Sequence, residues 1–305
     1  MNDIVVLGIF VADTAFRADR QPRMGETILG KGFALGPGGK GSNQAVAAGR
    51  AGGDVAMMTR LGRDTFGEMA RQVWADAGVT PLVEAGDTAT GAAFIFLDAK
   101  TGDNAIIVYP GAAGEIDAGF VEARAAAIRD AKVFVTQLEQ PMAAAERALE
   151  IARDGGTVTI LNPAPAAKLP AGMLALCDYV TPNETEAEAL TGIAVADLDG
   201  ARRAGDALLA AGVARAAVLT LGPQGALYHS AERSQLVPAF DAGPVVETTG
   251  AGDAFNGSFA AALAAGRDPL DAVRFGCATA SLSVTRPGAA ASMPARAEID
   301  ALLAR

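Results

Sequence analysis

A chain of 305 residues, half of them hydrophobic, can bury one large α/β core or a core with an appendage. Its formal net charge of −10 argues against non-specific binding to nucleic acid or to anionic membranes, which needs a basic face. With one histidine, His229, neither Ser-His catalysis nor a His-rich zinc site is expected, and a surface place is its default. Cys177 and Cys277, in strand-like and helix-like contexts, read as reduced core thiols of a cytoplasmic protein. No apolar run reaches the length of a membrane span, and Met1-Asn2-Asp3 leads straight into a strand pattern, so neither a span nor a signal peptide is expected.

The first apolar run, Ile4 to Leu7, ends at Gly8, as a strand buried on both faces of a parallel sheet does. Asp13 follows near its carboxyl end, where open α/β sheets bind ligands, although an Asp after a strand is also an ordinary turn former. Gly36-Pro37-Gly38-Gly39-Lys40-Gly41-Ser42-Asn43 then feeds a helix over Gln44–Ala51. It is not a Walker A loop, because Gly41 stands where Ser or Thr belongs. Four glycines around one lysine still mark a backbone that something approaches closely, and Asn43 doubles as a candidate N-cap. Strand and helix alternate through Val55–Thr59, Phe66–Ala77 and Val79–Val83.

Residues 90–110 break the rhythm. Gly91–Leu97 and Ala105–Tyr109 are strand runs joined by a turn-rich Asp98–Asn104, and Phe94 to Leu97 are apolar on both faces. Such a hairpin has to cover something on each side, which suggests a lid that also meets a partner chain, with Thr14–Lys31 supplying further lid strands. Alternation resumes with Val133–Thr136, Ala143–Arg153, Thr157–Leu161, Tyr179–Thr181 and Ala216–Thr220. Asp13, Glu139, Asn183, Thr220 and Asp253 all fall at or just past strand carboxyl ends, a joint pattern that favours one ligand-binding edge. Asn183 and Glu186, three apart, either cap the first turn of their helix or orient the water shell of Mg²⁺.

The most informative stretch is Glu247-Thr248-Thr249-Gly250-Ala251-Gly252-Asp253-Ala254-Phe255-Asn256-Gly257. Leu236–Pro238 and Val245–Val246 before it read as strand, and Ala254–Ala265 after it reads as helix. A glycine turn opening a helix leaves N–H groups pointing one way at the positive end of the helix dipole, a seat for an anion. A carboxylate there repels a phosphate unless it takes a proton from a hydroxyl while the amides hold a phosphoryl group in transfer. The plainer alternative is an acidic residue in an ordinary first turn.

The chain resembles the ribokinase-like (PfkB) family of carbohydrate kinases from Ile4 to Leu303. Both family signatures are present, Gly38 to Gly49 and Thr248 to Gly257. Between them, Asn162-Pro163-Ala164-Pro165-Ala166 and Thr181-Pro182-Asn183-Glu184-Thr185-Glu186 follow the pattern of the ribokinases among them. The resemblance implies a three-layer α/β sandwich around a mostly parallel sheet, in one kinase domain over residues 1–305 with lid strands inserted near 12–36 and 90–110. It implies transfer of the ATP γ-phosphoryl group to the primary 5-hydroxyl of D-ribose, or in the alternative of another sugar or a nucleoside, by homodimers joined through the lids. Asp253 is then the base, with the amides of Gly250, Ala251 and Gly252 as anion hole. Val11, Asp13, Gly39, Lys40, Asn43 and Glu139 fall at the sugar. Asn183, Thr220, Leu221, Gly222, Gly225, Gly252 and Cys277 fall at ATP, and Asn183 and Glu186 hold Mg²⁺ through water. A potassium cage maps onto Glu247, Thr249, Ser283, Arg286, Gly288 and Ser292. Three residues depart from the family pattern: Val11 replaces an Asn at the sugar, Glu247 replaces an Asp of the cation cage, and Ala113 stands where an Asn often follows Gly-Ala.

Overall fold

Continuous apolar runs become the central strands of a nine-stranded sheet covered on both faces. The computed structural model describes residues 2–305. In chain order the first half comprises β1 (Ile4–Leu7), β2 (Val11–Ala18), β3 (Gly32–Gly38), α1 (Lys40–Arg50), β4 (Val55–Gly62), α2 (Thr65–Asp76), β5 (Val79–Gly86), β6 (Thr90–Asp98) and β7 (Asn104–Gly111). There follow α3 (Ala118–Glu122), α4 (Ala125–Arg129), β8 (Val133–Thr136), α5 (Met142–Gly155), β9 (Val158–Leu161), β10 (Tyr179–Val180), α6 (Glu184–Thr191) and α7 (Leu198–Ala210). The chain closes with β11 (Ala216–Thr220), β12 (Ala226–His229), β13 (Ser234–Val237), α8 (Ala251–Ala264), α9 (Pro269–Ser283) and α10 (Arg296–Leu303).

The large sheet runs β13-β12-β11-β10-β9-β8-β1-β4-β5, parallel except for the β11–β12–β13 edge. Alternation on β1 shows the layering. Ile4 and Val6 pack with residues of α1, α8 and α9, whereas Val5 and Leu7 pack with α3, α4 and α5. This is the expected three-layer sandwich. A second sheet, β3-β2-β6-β7, joins the segments around residues 12–36 and 90–110; β6 and β7 form the hairpin read from the turn residues, with Leu97 opposite Asn104. Phe16 lies 5.0 Å from Phe33 and 5.9 Å from Phe94, ring centre to centre, and all three are exposed, as are Leu35, Ile106 and Val108.

Four local readings are corrected. Val245–Val246 is irregular and exposed rather than strand: the amides of Val246 and Glu247 donate to the Val284 carbonyl at the end of α9, so no neighbouring strand claims them. Asn43 is not the N-cap of α1, because the helix starts three residues earlier and Gly39, at φ 89°, takes that place. His229 is buried, its Nε2 2.9 Å from Asp206 Oδ1 and its Nδ1 3.0 Å from Ser234 Oγ. Gly205 on α7 makes the room, since a Cβ there would lie 2.6 Å from the imidazole. Cys177 and Cys277 are buried free thiols, and burial pushes both up to about 12; Cys177 follows a 3₁₀ turn instead of lying in a strand. No helix among the described residues is long and apolar enough to cross a membrane.

Candidate active site

Three neighbouring parallel strands end alike. The first residues past β8, β9 and β10 are Gln137, Asn162 and Thr181, all buried and polar; Thr181 bonds to Asn256 on α8, and Gln137 and Asn162 bond to Gln44 on α1. The nearby edge of β11 continues this row, through a bridge between Thr220 and Asn183.

Helix α8 opens at Gly250, whose φ of 80° favours glycine and whose missing Cβ leaves room for Ala289. The Ala251 N–H turns back to the Thr248 carbonyl at 3.2 Å. Among the described residues the Gly252 and Asp253 N–H groups have no acceptor, and nothing stands within 4 Å of where a Gly252 Cβ would be. Two first-turn amides are therefore free at the positive end of a fourteen-residue helix. Beside them Asp253 is only 6% exposed. Burial raises its carboxyl above the ordinary range, opposed by the positive charge of Lys40 and by hydrogen bonds from Asn43 and Gln44. Asn43 Nδ2 donates to Oδ2 and Gln44 Nε2 to Oδ1, each at 3.0 Å. Helix α1 can come this close because Gly257 lies one turn below Asp253: a Cβ there would sit 2.2 Å from the Gln44 carbonyl.

The glycine-rich loop is shaped by the same close approaches. A Cβ on Gly38 would fall within 2.5 Å of the Asp13 carboxylate, and one on Gly39 would lie 2.6 Å from the Ile9 carbonyl. Lys40 begins α1, and its amide donates to Glu139 Oε2 at 2.8 Å. Burial pushes the Asp13 carboxyl up to about 6 and that of Glu139 up to about 7, the latter held down in part by Lys40. Lys40 makes no ion pair within 4 Å among the described residues, so its ammonium stays available to a bound anion. Asn43 Oδ1 is buried with no partner, an acceptor waiting for a donor. Val11 is 4% exposed and lies between Gly38 and Gly91 of the flanking strands; alternation puts it on the Asp13 side of β2.

Asn183 and Glu186 form a capping box on α6: Glu186 N–H donates to Asn183 Oδ1, and Asn183 N–H to Glu186 Oε2. The capping alternative is thus present in the structure, and it leaves one Glu186 oxygen free. Leu221 to Gly225 is a turn closed by the Leu221 N–H on the Gly225 carbonyl, with Gly222 and Gly225 at positive φ. Cys277 is buried with its Sγ 3.8 Å from the Val237 carbonyl. Glu247 turns inward, accepting the Gly288 N–H at 2.8 Å. Ser283 and Ser292 are buried, each hydroxyl donating to a nearby carbonyl, while the Arg286 guanidinium pairs with Glu298 and points away. The structure therefore brings Asp13, Lys40, Asn43, Glu139 and Asp253 together and leaves the Arg286 side chain out. Unforeseen from the sequence are Gln44, Gln137 and Asn162, which stand behind Asp253. Gln44 sits inside the first signature and the other two just past strand ends, a signal as legible as that of Glu139.

A carboxylate held between amide donors, two free helix-start amides and an unpaired lysine suit proton abstraction from a hydroxyl beside a phosphoryl group. The neighbouring acids and the unpartnered amide oxygen suit a neutral polyol. The class defined is a phosphotransferase acting on a hydroxylated small molecule. The model of the pfkB family carbohydrate kinases matches residues 1–296. A ribokinase of Schizosaccharomyces pombe is 40% identical, covering 98% of this chain and 97% of its own, and one of Haemophilus influenzae is 37% identical, covering 97% and 96%. A solved ribokinase of Arabidopsis thaliana, complexed with ribose and ATP, has a TM-score of 0.92 at 29% identity, covering 99% of this chain and 98% of its own. The chain belongs to the PfkB family of carbohydrate kinases.

Proposed function

We propose that this protein transfers the γ-phosphoryl group of ATP to the 5-hydroxyl of D-ribose, giving ribose 5-phosphate and ADP. The observation that carries the reading is Asp253, buried but ionisable between Asn43 and Gln44, one residue from the free Gly252 amide. Asp253 takes the hydroxyl proton, the freed oxygen attacks the γ-phosphorus, and the bond to the β-γ bridging oxygen breaks. The Gly252 and Asp253 amides receive the negative charge with Lys40. Gly250 shapes the turn, and Ala251 joins only by giving up its bond to Thr248. Asp13, Gly39, Asn43 and Glu139 hold the sugar hydroxyls; Asn43 Oδ1 gains its missing donor there. The ribokinase relatives, and a neighbour solved with ribose and ATP, support ribose as substrate.

Asn183 and the free oxygen of Glu186 would hold the water shell of a bound Mg²⁺, which would supply neutralisation of phosphate charge, and the oxygen-only donor set fits a hard cation. Leu221, Gly222 and Gly225, with Thr220 and Cys277, would line the nucleotide pocket. For K⁺, the Glu247 carboxylate, the Ser283 and Ser292 oxygens and the backbone carbonyls of Thr249, Arg286 and Gly288 supply oxygen donors of the right kind. Glu247 is partly committed to the Gly288 amide, which fits a retained but weakened site. The β3-β2-β6-β7 sheet acts as the lid, and its exposed Phe16, Phe33, Leu35, Phe94 and Ile106 suit a second copy of the chain, giving a homodimer of a cytoplasmic enzyme. ADP release across pentoses, hexoses and nucleosides tests the reading: ribose turns over fastest, and turnover of nucleosides alone would contradict it.

A further inference from the structure

The buried amides behind Asp253 form a chain whose direction is anchored at one end. A side-chain amide can turn over and exchange its oxygen and nitrogen, but a backbone carbonyl cannot. Asn162 Nδ2 donates to the Thr181 carbonyl at 3.0 Å, so Asn162 Oδ1 has to face Gln44. That oxygen takes one Nε2 proton of Gln44 at 3.0 Å, and the second goes to Asp253 Oδ1. Gln44 Oε1 is left for Gln137 Nε2, at 2.6 Å. Gln137 Oε1 ends the chain without a partner, in the space that Cβ atoms on Gly8 or Gly41 would occupy. A Thr181 hydroxyl bond to Asn256, which in turn donates to the Gly252 carbonyl, ties the same residue to the first turn of α8.

We infer that Asn162 and Gln44 are positioning residues that lock a hydrogen-bond donor onto Asp253 and so keep it an ionised acceptor in a dry site. The inference rests on the reading of Asp253 as base, and deepens it. Turning Gln44 over would set its oxygen against both Asn162 Oδ1 and the Asp253 carboxylate, so the donor stays in place whatever the charge on Asp253. Neutral Asp253 is then confined to a proton on Oδ2, which only a turned Asn43 can accept, because the donor on Oδ1 is fixed. Remove Asn162, and Gln44 can turn when Asp253 is protonated, accept its proton, and donate to a turned Gln137 whose oxygen otherwise has no partner. The neutral form gains and the carboxyl value rises. The charged groups facing Asp253 are Lys40, Glu139 and Glu186, with Asp13 acting on Glu139, and none is altered by this change.

The test is a carboxyl ¹³C titration of the ligand-free protein, with the Asp253 resonance assigned by its loss in Asp253→Asn, beside kcat against pH. In Asn162→Leu, and in Asn162→Ala, which adds no bulk if the first does not fold, the Asp253 carboxyl should titrate about one unit higher. The acid limb of kcat should move up with it. An Asp253 value unchanged in the folded variants overturns the relay. A raised value with an unmoved kcat profile sustains the relay and overturns Asp253 as the base.

Discussion

Asp253→Asn is the sharpest perturbation of the site, and the hydrogen bonds say how the protein accommodates it. The introduced asparagine keeps an oxygen for Gln44 Nε2, whose direction is fixed by Asn162, and brings an NH₂ to face Asn43, where Oδ2 used to accept. Asn43 can turn over, because its Oδ1 has no partner to lose, and that oxygen then accepts from the new NH₂. The number of buried groups without a partner does not change, and an uncharged amide replaces a carboxyl whose ionisation burial opposes, so the thermal midpoint should not fall. Turning Asn43 presents Nδ2 to the sugar in place of Oδ1, one altered hydrogen bond. At about 0.5–1.5 kcal/mol this raises KM for ribose roughly 2- to 13-fold. The lost base acts on kcat, by about 10²–10⁴-fold. Steady-state ADP release with ribose and ATP each varied separates the two effects. A variant that keeps more than about a third of kcat refutes the role of Asp253.

Three further outcomes follow from other parts of the site. Val11→Asn should sharpen discrimination of ribose over 2-deoxyribose by about 1–3 kcal/mol, roughly 5- to 150-fold in the kcat/KM ratio; an unchanged ratio means Val11 does not face the sugar. The carboxyls of Asp13 and Glu139, pushed up to about 6 and about 7 by burial, have to be ionised to accept sugar hydroxyls, so kcat/KM for ribose should fall as pH drops from 8 through 7 and 6. The sign for stability is the opposite: folded-state values above the unfolded ones make ionisation work against the fold. Glu139→Gln should therefore raise the thermal midpoint more at pH 8 than at pH 5, and an equal shift at both contradicts the burial argument. Replacing tetramethylammonium with K⁺ should raise activity. Glu247→Asp, too short to hold the Gly288 amide from the same backbone, should lower the K⁺ needed for half-activation; a flat K⁺ response in wild type together with full activity in Glu247→Ala sinks this reading.

Much of this was legible in the chain because it is local. Runs such as Ile4–Leu7 and Val133–Thr136 can only be strands buried on both faces, and glycine turns at 36–41 and 250–252 announce close backbone approach. What the residues hid is long-range. Nothing near His229 reveals that Asp206, on a helix 23 positions earlier, will cover it, or that Gly205 will make space. Val245–Val246 has the composition of a strand, yet the amides of Val246 and Glu247 reach the end of α9 before any strand edge does. The relay behind Asp253 joins residues 44, 137, 162 and 181, separated by as many as 118 positions across a single contact, and only the fold shows that they touch.

The most direct measurement of the central claim is the proton-coupled ³¹P spectrum of the product formed from ribose and ATP. The account predicts ATP-dependent appearance of one phosphomonoester signal, split into a triplet by the two C5 protons, and its near-absence in Asp253→Asn over the same time. A doublet, which places the phosphate on a secondary carbon, or no ribose phosphate at all while ATP is consumed, would contradict it.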